Sequence, residues 1–280
     1  MMRRPSPQPS QAGSAEVRVL TAERGIFDFN VVPNFARDYL STYYCQAPTQ
    51  DEQAVIAFLA SHYRRIPATS WAIEIGCGPT VHHVLPLAPY VSEIHMADYL
   101  PENLEQVRLW RDRAPGAHEW QDYTALTLAL EGREATPAAV ARREAETRAK
   151  ISRFRHCDLK MDSPLETSDV YPVVACFYCV ENIGVTTAEW TRVMRRVAAL
   201  TAPGGYLFLS ALNQTEFYVV RSADGRLNRL PAAYLTEDDF RQILPTLGFD
   251  AGATIVESRS FTGQEREGVN GVVLVAARKA

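Results

Sequence analysis

Short apolar runs alternate with amphipathic or polar stretches along most of the chain. Five runs have the length of buried strands: 71–75, 91–98, 154–159, 171–179 and 206–212. The stretches between them predict helices at 101–113, 187–205 and 236–249. Two more apolar runs, 253–261 and 270–278, follow each other directly. This order predicts an α/β fold with a mainly parallel sheet, and the last two runs predict an antiparallel C-terminal edge.

Several residues are expected to mark the ends of helices. A helix is predicted at about 34–44, and Asp51 is expected to cap the helix that follows it. Thr236 is expected to cap the last helix. The Pro203-Gly204 pair is expected to end the helix that begins at 187, before the strand at 206.

The same pattern divides the chain into regions. Residues 1–16 are rich in Pro, Ser and Gln and are predicted to be a disordered tail. Two helices at 17–66 are predicted to form an N-terminal helical cap, and 67–280 are predicted to form the α/β domain. Within that domain, 112–152 interrupt the alternation and are predicted to be a helical insertion, whose helix at 135–152 is polar and expected to be solvated.

Charge and hydropathy exclude two classes of partner. The net charge is −4, so the chain lacks the basic surface of a nucleic-acid-binding protein. No apolar run approaches the roughly 20 residues of a membrane-spanning helix, and the arginines near the N-terminus precede no secretory segment. These features predict a cytoplasmic protein with neither a nucleic-acid nor a membrane partner.

The chain has five cysteines, an odd number, which favours reduced thiols over disulfides. Cys176 and Cys179 form a C-x-x-C, but it lies in an apolar run that is predicted to be a strand. No second Cys or His pair stands at zinc-like spacing. A redox dithiol normally begins a helix, where the thiol pKa is lowered. Neither a metal site nor a redox dithiol is expected.

Glycines follow the first predicted strand in "WAIEIGCGPTVHHV". Gly76 and Gly78 begin a Gly-x-Gly turn, but Val81 stands where a dinucleotide fingerprint has its third glycine, and no lysine suits a phosphate loop. The turn can therefore approach a ligand closely while offering little to a phosphate. Glu74, just before the turn, would repel pyrophosphate but suits a cationic amino-acid group.

Two acids follow neighbouring strands. Asp98 ends the second strand, about 20 residues after the first glycine, where a carboxylate can bind both hydroxyls of a ribose. Asp158 ends the third, where an acid can accept from an adenine amine. Ribose, adenine and a cationic group together predict S-adenosylmethionine (SAM). An NAD-dependent oxidoreductase is the alternative enzyme, disfavoured by Val81 and Pro79, and a non-enzymatic SAM-binding protein also remains possible.

The sequence resembles one family of small-molecule methyltransferases. The similar segments are "ARDYLSTYY", "IEIGCGPTVHHVL", "MADYLPENLEQVRLW", "CDL", "APGGYLFLSAL" and "GVVLVAARK". They are similar to the nicotinamide, phenylethanolamine and thioether N-methyltransferase family. The resemblance implies a Rossmann-like class I methyltransferase with a seven-stranded sheet, an N-terminal cap over the site, SAM as methyl donor and S-adenosylhomocysteine as product.

The resemblance also implies roles for residues of this chain. At the methionine end of SAM it implies contacts from two cap tyrosines and the glycine turn: Tyr39, Tyr44, Gly76 and Thr80. Around the ribose and adenine it implies contacts from the ends of the strands: Asp98, Tyr99, Asn103, Asp158 and Leu159. Phe177 is expected to line the site after the fourth strand.

The chain departs from the family on the side of the methyl acceptor. His82 stands where many members have an aromatic residue, and Ser210 stands where many have an acid. Glu181 matches another family acid, so it is the first candidate for the catalytic acceptor contact, with His82 and Tyr39 next. Phe27 and Phe217 are expected to line the acceptor site with Glu181 and Ser210.

The expected acceptor is a small aromatic molecule: an indole, an arylalkylamine or an N-heteroaromatic compound, methylated on nitrogen or carbon. The chain has 26 Arg and 3 Lys, which suggests a bacterial source and specialised metabolism. The sequence leaves the acceptor atom, the oligomeric state and the pathway open.

Overall fold

A computed structural model describes residues 16–261 and 269–280. The predicted disordered tail, except Glu16, lies outside the described residues. The described chain has ten strands: β1 (Val17–Val19), β2 (Thr69–Ile75), β3 (Val91–Asp98), β4 (Ile151–His156), β5 (Tyr171–Phe177), β6 (Thr201–Leu212), β7 (Phe217–Arg221), β8 (Leu227–Pro231), β9 (Ile255–Ser260) and β10 (Gly271–Arg278).

Eight α-helices connect the strands: α1 (Phe35–Tyr43), α2 (Gln50–His62), α3 (Pro101–Arg111), α4 (Gln121–Leu130), α5 (Pro137–Lys150), α6 (Val180–Ile183), α7 (Thr187–Ala199) and α8 (Glu237–Thr246). None of the helices in the described part of the chain is long and apolar enough to cross a membrane.

The central sheet has seven strands in the order β4–β3–β2–β5–β6–β10–β9. All neighbours are parallel except β10, which runs antiparallel to both β6 and β9. The predicted α/β fold with an antiparallel C-terminal edge is therefore confirmed. From β2 the chain order proceeds to β3 on one side and to β5 on the other, so the crevice at the carboxyl end of β2 is the expected ligand site.

Burial on both faces explains why the strands are apolar runs. In β2, Ala72 packs in the core on one face of the sheet, and Ile73 packs in the core on the other. The first core includes buried residues of α1, α2 and α3, and the second includes those of α7 and α8. The N-terminal cap thus shares a hydrophobic core with the sheet that it covers.

A second sheet, which the sequence did not predict, has three strands in the order β1–β8–β7. The β7–β8 hairpin is antiparallel, and β1 joins β8 in parallel. The hydroxyl of Tyr43 in α1 donates to the carbonyl of Val219 in β7 at 2.5 Å. The hairpin and α1 therefore support each other beside the crevice.

Three sequence predictions about helices were wrong. Thr49, not Asp51, is the N-cap of α2; Asp51 lies in the first turn and accepts the Thr49 hydroxyl at 2.5 Å. Pro203-Gly204 does not end α7, which ends at Ala199, because β6 already begins at Thr201. In contrast, Thr236 and Asp239 form the predicted cap of α8.

The third error concerns α5, which is polar but is not a solvated helix. Arg143 is only 3% exposed. Its guanidinium donates twice to Glu131, at 2.7 Å each, and once to the carbonyl of Leu85 at 3.1 Å. Such bidentate pairs allow a charged residue to be buried, so the inward face of α5 is polar and packed at the same time.

Candidate active site

A cleft of about 750 Å3, partly open to solvent, lies at the carboxyl ends of β2, β3 and β5. The glycine turn after β2 forms one wall, and aromatic residues of the N-terminal cap cover it. Ten of the predicted site residues line this cleft: Tyr39, Tyr44, Gly76, Gly78, Thr80, Asp98, Tyr99, Asn103, Leu159 and Phe177.

The two glycines of the turn serve different purposes. Both have left-handed backbone, with φ of +61° at Gly76 and +59° at Gly78. A Cβ on Gly76 would lie 2.2 Å from the Cys179 sulfur, whereas a Cβ on Gly78 would meet no atom within 4 Å. Gly76 is therefore needed for packing against the turn after β5, and Gly78 leaves open space on the cleft side. The hydroxyl of Thr80 donates to the carbonyl of Cys77 at 2.9 Å and closes the turn.

This difference gives a matched test of the turn. We expect Gly76→Ala to lower the free energy of unfolding by about 1–3 kcal/mol more than Gly78→Ala. Both alanines would be strained by the left-handed backbone, but only the one at position 76 would also clash with Cys179. Urea unfolding of the two variants measures this difference. Cys179→Ala in the Gly76→Ala background should restore part of the loss, and equal stability of the two glycine variants would contradict the packing role.

Asp98 is the polar centre of the cleft and is 6% exposed. Its Oδ1 accepts from the Leu100 amide at 2.8 Å and from Asn103 Nδ2 at 2.9 Å, and its Oδ2 accepts from the Gly78 amide at 2.8 Å. Burial raises the pKa of Asp98, and these donors oppose the rise. The backbone N–H of Tyr99 also stabilises the charged form of Asp98. A ligand hydroxyl would therefore share the Asp98 oxygens with protein donors, and the buried, unpartnered Oδ1 of Asn103 adds another acceptor.

Glu74 does not line the cleft itself. It is 1% exposed, and its Oε1 lies 2.9 Å from Nδ1 of His83, which does line the cleft. Burial raises the pKa of Glu74 and lowers the pKa of His83. Glu74 thus contacts His83 behind the cleft wall, and its predicted contact with a cationic group stays a prediction.

On the predicted adenine side, Tyr99 lines the cleft, and the Lys160 ammonium lies 3.8 Å from the centre of its ring. Asn30 of the N-terminal cap donates to the Tyr99 hydroxyl at 2.5 Å. Asp158 is half-buried outside the lining and accepts from the Lys160 amide, while its neighbours Cys157 and Leu159 line the cleft. The sequence did not point to Lys160, which covers one face of Tyr99.

Aromatic side chains of the N-terminal cap cover the cleft. Tyr39 stacks on Phe35 at 5.3 Å between ring centres and lies 5.8 Å from Tyr44. Phe29 lines the cleft, whereas Phe27 is 1% exposed and packs edge-on behind it at 4.9 Å. Phe27 therefore supports the cover rather than lining the site as predicted.

Besides Phe27, four residues that were predicted on the acceptor side do not line the cleft. They are His82, Glu181, Ser210 and Phe217. The cleft is lined instead by neighbouring residues, among them His83, Tyr178, Asn182 and Tyr218. All four directly follow a predicted residue in sequence.

Glu181 lies at the start of α6 and is fully buried. Its Oε1 accepts from the Leu212 amide at 3.0 Å, and its Oε2 has no hydrogen-bond partner in the described structure. Burial raises the pKa of Glu181 from 4.5 to about 7, and the hydrogen bond from Leu212 opposes the rise. Glu181 therefore changes its protonation near neutral pH, just behind the cleft wall.

The C-x-x-C pair lies at the junction of β5 and α6. Cys176 is in β5 as predicted, but Cys179 is the N-cap residue of the short α6. All five cysteines are free. A hydrogen bond with Cys179, together with burial, raises the pKa of the Cys176 thiol, the opposite of what a redox dithiol needs.

Comparisons with known proteins agree with this geometry. A family model described as NNMT/PNMT/TEMT matches residues 30–280. Indolethylamine N-methyltransferase of Mus musculus is 26% identical over 255 residues, covering 87% of this chain and 92% of that protein. Phenylethanolamine N-methyltransferase of Bos taurus is 27% identical over 176 residues, covering 61% of this chain and only 59% of that protein.

Among solved structures, the DhpI–SAH complex has a TM-score of 0.53 at 15% sequence identity, covering 88% of this chain and 92% of that chain. This likeness supports the fold that the strand order shows. The family model spans the sheet, the glycine turn and the aromatic cover. This protein therefore belongs to the NNMT/PNMT/TEMT family and is a SAM-dependent methyltransferase with the Rossmann-like class I fold.

Proposed function

We propose that this protein transfers a methyl group from SAM to the nitrogen of a small arylalkylamine. The observation that carries the proposal is the two-sided cleft, in which Asp98 and Asn103 offer acceptors at one end and aromatic rings surround the other. The names of the indolethylamine and phenylethanolamine relatives support an amine that carries an aromatic ring.

The residues present fit SAM. Gly78 leaves open space at the turn, the Asp98 carboxylate lines the cleft, and Asn103 has a buried, unpartnered oxygen. These residues would hold the ribose and amino-acid side of SAM. When bound, SAM supplies a methyl group attached to a positively charged sulfur. Tyrosine rings of the cover favour such a cation by about 0.5–2 kcal/mol.

The acceptor would lie between the cover and the residues after β5. Tyr39, Tyr178 and Tyr218 line this part of the cleft and would hold the aromatic ring. Alignment of the amine with the methyl group, with water excluded, is the main contribution such a site makes to a displacement reaction. A neutral amine needs no covalent residue, and Glu181 would influence the amine through Tyr218 and Asn182 rather than by direct contact.

The test is turnover to S-adenosylhomocysteine with tryptamine, phenylethylamine, a plain indole and a pyridine. We expect turnover with the two arylalkylamines, and mass spectrometry and NMR should place the methyl group on the amine nitrogen. Turnover with the indole or the pyridine alone would contradict the amine proposal and favour carbon or ring-nitrogen methylation. Product formation with none of them would favour a SAM-binding protein without catalysis on this class.

Calorimetry with SAM and with NAD tests the oxidoreductase alternative. We expect SAM to bind and NAD not to bind, because the turn lacks the third glycine and a phosphate clamp. A role in bacterial specialised metabolism, and a cytoplasmic location, stay predictions from the sequence.

A further inference from the structure

A second group of chemically reactive side chains lies behind the glycine turn. Glu52 comes from α2 of the N-terminal cap, and His82 and His83 come from the segment after the turn. One ligand atom from each of the three lies within 4.8 Å of the others, and all three residues are buried. The Glu52 and His82 side chains are 0% exposed, and their Oε2 and Nε2 atoms are 2.7 Å apart.

We propose that Glu52, His82 and His83 bind a divalent transition-metal ion of the zinc class, which ties the N-terminal cap to the glycine turn. Two imidazoles and one carboxylate are a common protein donor set for such an ion. The proposal does not depend on the acceptor of the methyl group.

The surroundings of His83 support this assignment. Its Nδ1 is 2.9 Å from Glu74, which leaves Nε2 for an ion, and that Nε2 is buried without a hydrogen-bond partner in the described structure. A histidine that ligates a metal usually gives its other ring N–H to a carboxylate, which fixes its orientation. The Glu74–His83 contact has this arrangement.

Charge balance and side-chain packing also support a bound cation. Glu52 and Glu74 bring two carboxylates into the interior, and each contacts a histidine. A divalent cation with two neutral imidazoles would balance both carboxylates. The Tyr44 hydroxyl donates to Oε1 of Glu52 at 3.1 Å, and the His82 ring stacks on Trp120 at 5.3 Å. The ligand side chains are therefore held in place before an ion binds.

The sequence predicted no metal site because it has no second Cys or His pair at zinc-like spacing. Here the carboxylate and the two histidines come from separate segments that meet only in the fold. The two adjacent histidines also face different partners, since His82 contacts Glu52 and His83 contacts Glu74.

The experiment is metal analysis of the full, tag-free chain. The protein is expressed in zinc-supplemented medium, and a second sample is dialysed against zinc chloride; both pass through gel filtration before mass-spectrometric metal analysis. We expect about one zinc ion per chain by at least one route. Cobalt in place of zinc should give visible absorption bands. A wild-type chain without stoichiometric zinc by either route would overturn the proposal.

Two variants separate an ion from a simple hydrogen-bonded pair. His82→Gln keeps an N–H that can donate to Glu52 but removes the imidazole ligand, so it should fold and lose the zinc. Glu52→Gln should lose it as well, and His62→Gln, outside the cluster, should retain it. Zinc retained equally by His82→Gln and Glu52→Gln would place the ion elsewhere and contradict the site. Because zinc content is measured without SAM or amine, failure of the methyltransferase test leaves this result unchanged.

Discussion

Replacing Asp98 by alanine should weaken SAM binding by about 100-fold, because a hydrogen bond to a charged group contributes about 1.5–3 kcal/mol. The backbone N–H groups of Gly78, Leu100 and Tyr99 and the side-chain amide of Asn103 already stabilise the Asp98 carboxylate, so a ribose hydroxyl would share its oxygens with these donors. Calorimetric titration with SAM gives the affinity of both proteins.

Asp98 also holds the glycine turn, so a loss of affinity could come from a disturbed turn alone. A cycle with S-adenosylhomocysteine and its 2′-deoxy and 3′-deoxy analogues separates the two effects. The wild-type protein should lose affinity for one deoxy analogue, and Asp98→Ala should show no further loss for it. Glu102 is exposed in the first turn of α3, so Glu102→Gln is the matched control. Equal discrimination between the sugars by wild type and Asp98→Ala would contradict the ribose assignment.

Most of the sheet could be predicted from the sequence because its strands are buried on both faces. β3 was predicted at its observed bounds, Val91–Asp98, and the final antiparallel pair was recognised from two apolar runs without a helix. The small sheet of β1, β8 and β7 was missed. Its strands are short, and Val17 and Val19 of β1 are exposed. The sequence of these strands therefore shows no continuous run of apolar residues.

Most residues expected to bind SAM could be placed in the cleft from the sequence, because they stand at strand ends and in one turn, where the backbone fixes their direction. Most residues expected to bind the acceptor do not line the cleft. On a strand, adjacent side chains point to opposite faces, so Tyr218 lines the cleft and Phe217 does not. The same one-residue difference separates Asn182 from Glu181 and His83 from His82. Only the packing of these segments in the fold determines which of the two neighbours faces the cleft.

Glu181→Gln should stabilise the ligand-free protein above neutral pH. The pKa of Glu181 is raised from 4.5 to about 7 in the fold, so the unfolded chain ionises first and wild-type stability falls as pH rises through this range. One pKa unit is worth about 1.4 kcal/mol, so the penalty approaches about 3 kcal/mol above pH ~7. Glutamine carries no such charge and can still accept from the Leu212 amide.

Urea unfolding at about pH 5 and about pH 8 measures this effect. We expect the variant to exceed the wild type clearly at the higher pH and by much less at the lower one. The exposed Glu134→Gln should show no comparable change between the two values. A gain that is the same at both pH values would show that Glu181 keeps its ordinary pKa, and a loss at the higher pH would contradict the buried position.

Glu181→Gln also tests whether the buried charge of Glu181 contributes to catalysis. A buried carboxylate that costs stability is expected where a cation approaches, because the cation recovers part of the desolvation penalty. We therefore expect Glu181→Gln to lower kcat/KM for an arylalkylamine by about 10-fold, because the buried charge behind Tyr218 and Asn182 no longer attracts the amine, while SAM affinity stays unchanged. A variant that is more stable and equally active would remove Glu181 from the acceptor side and leave Asn182 and Tyr218 as the groups that select the amine.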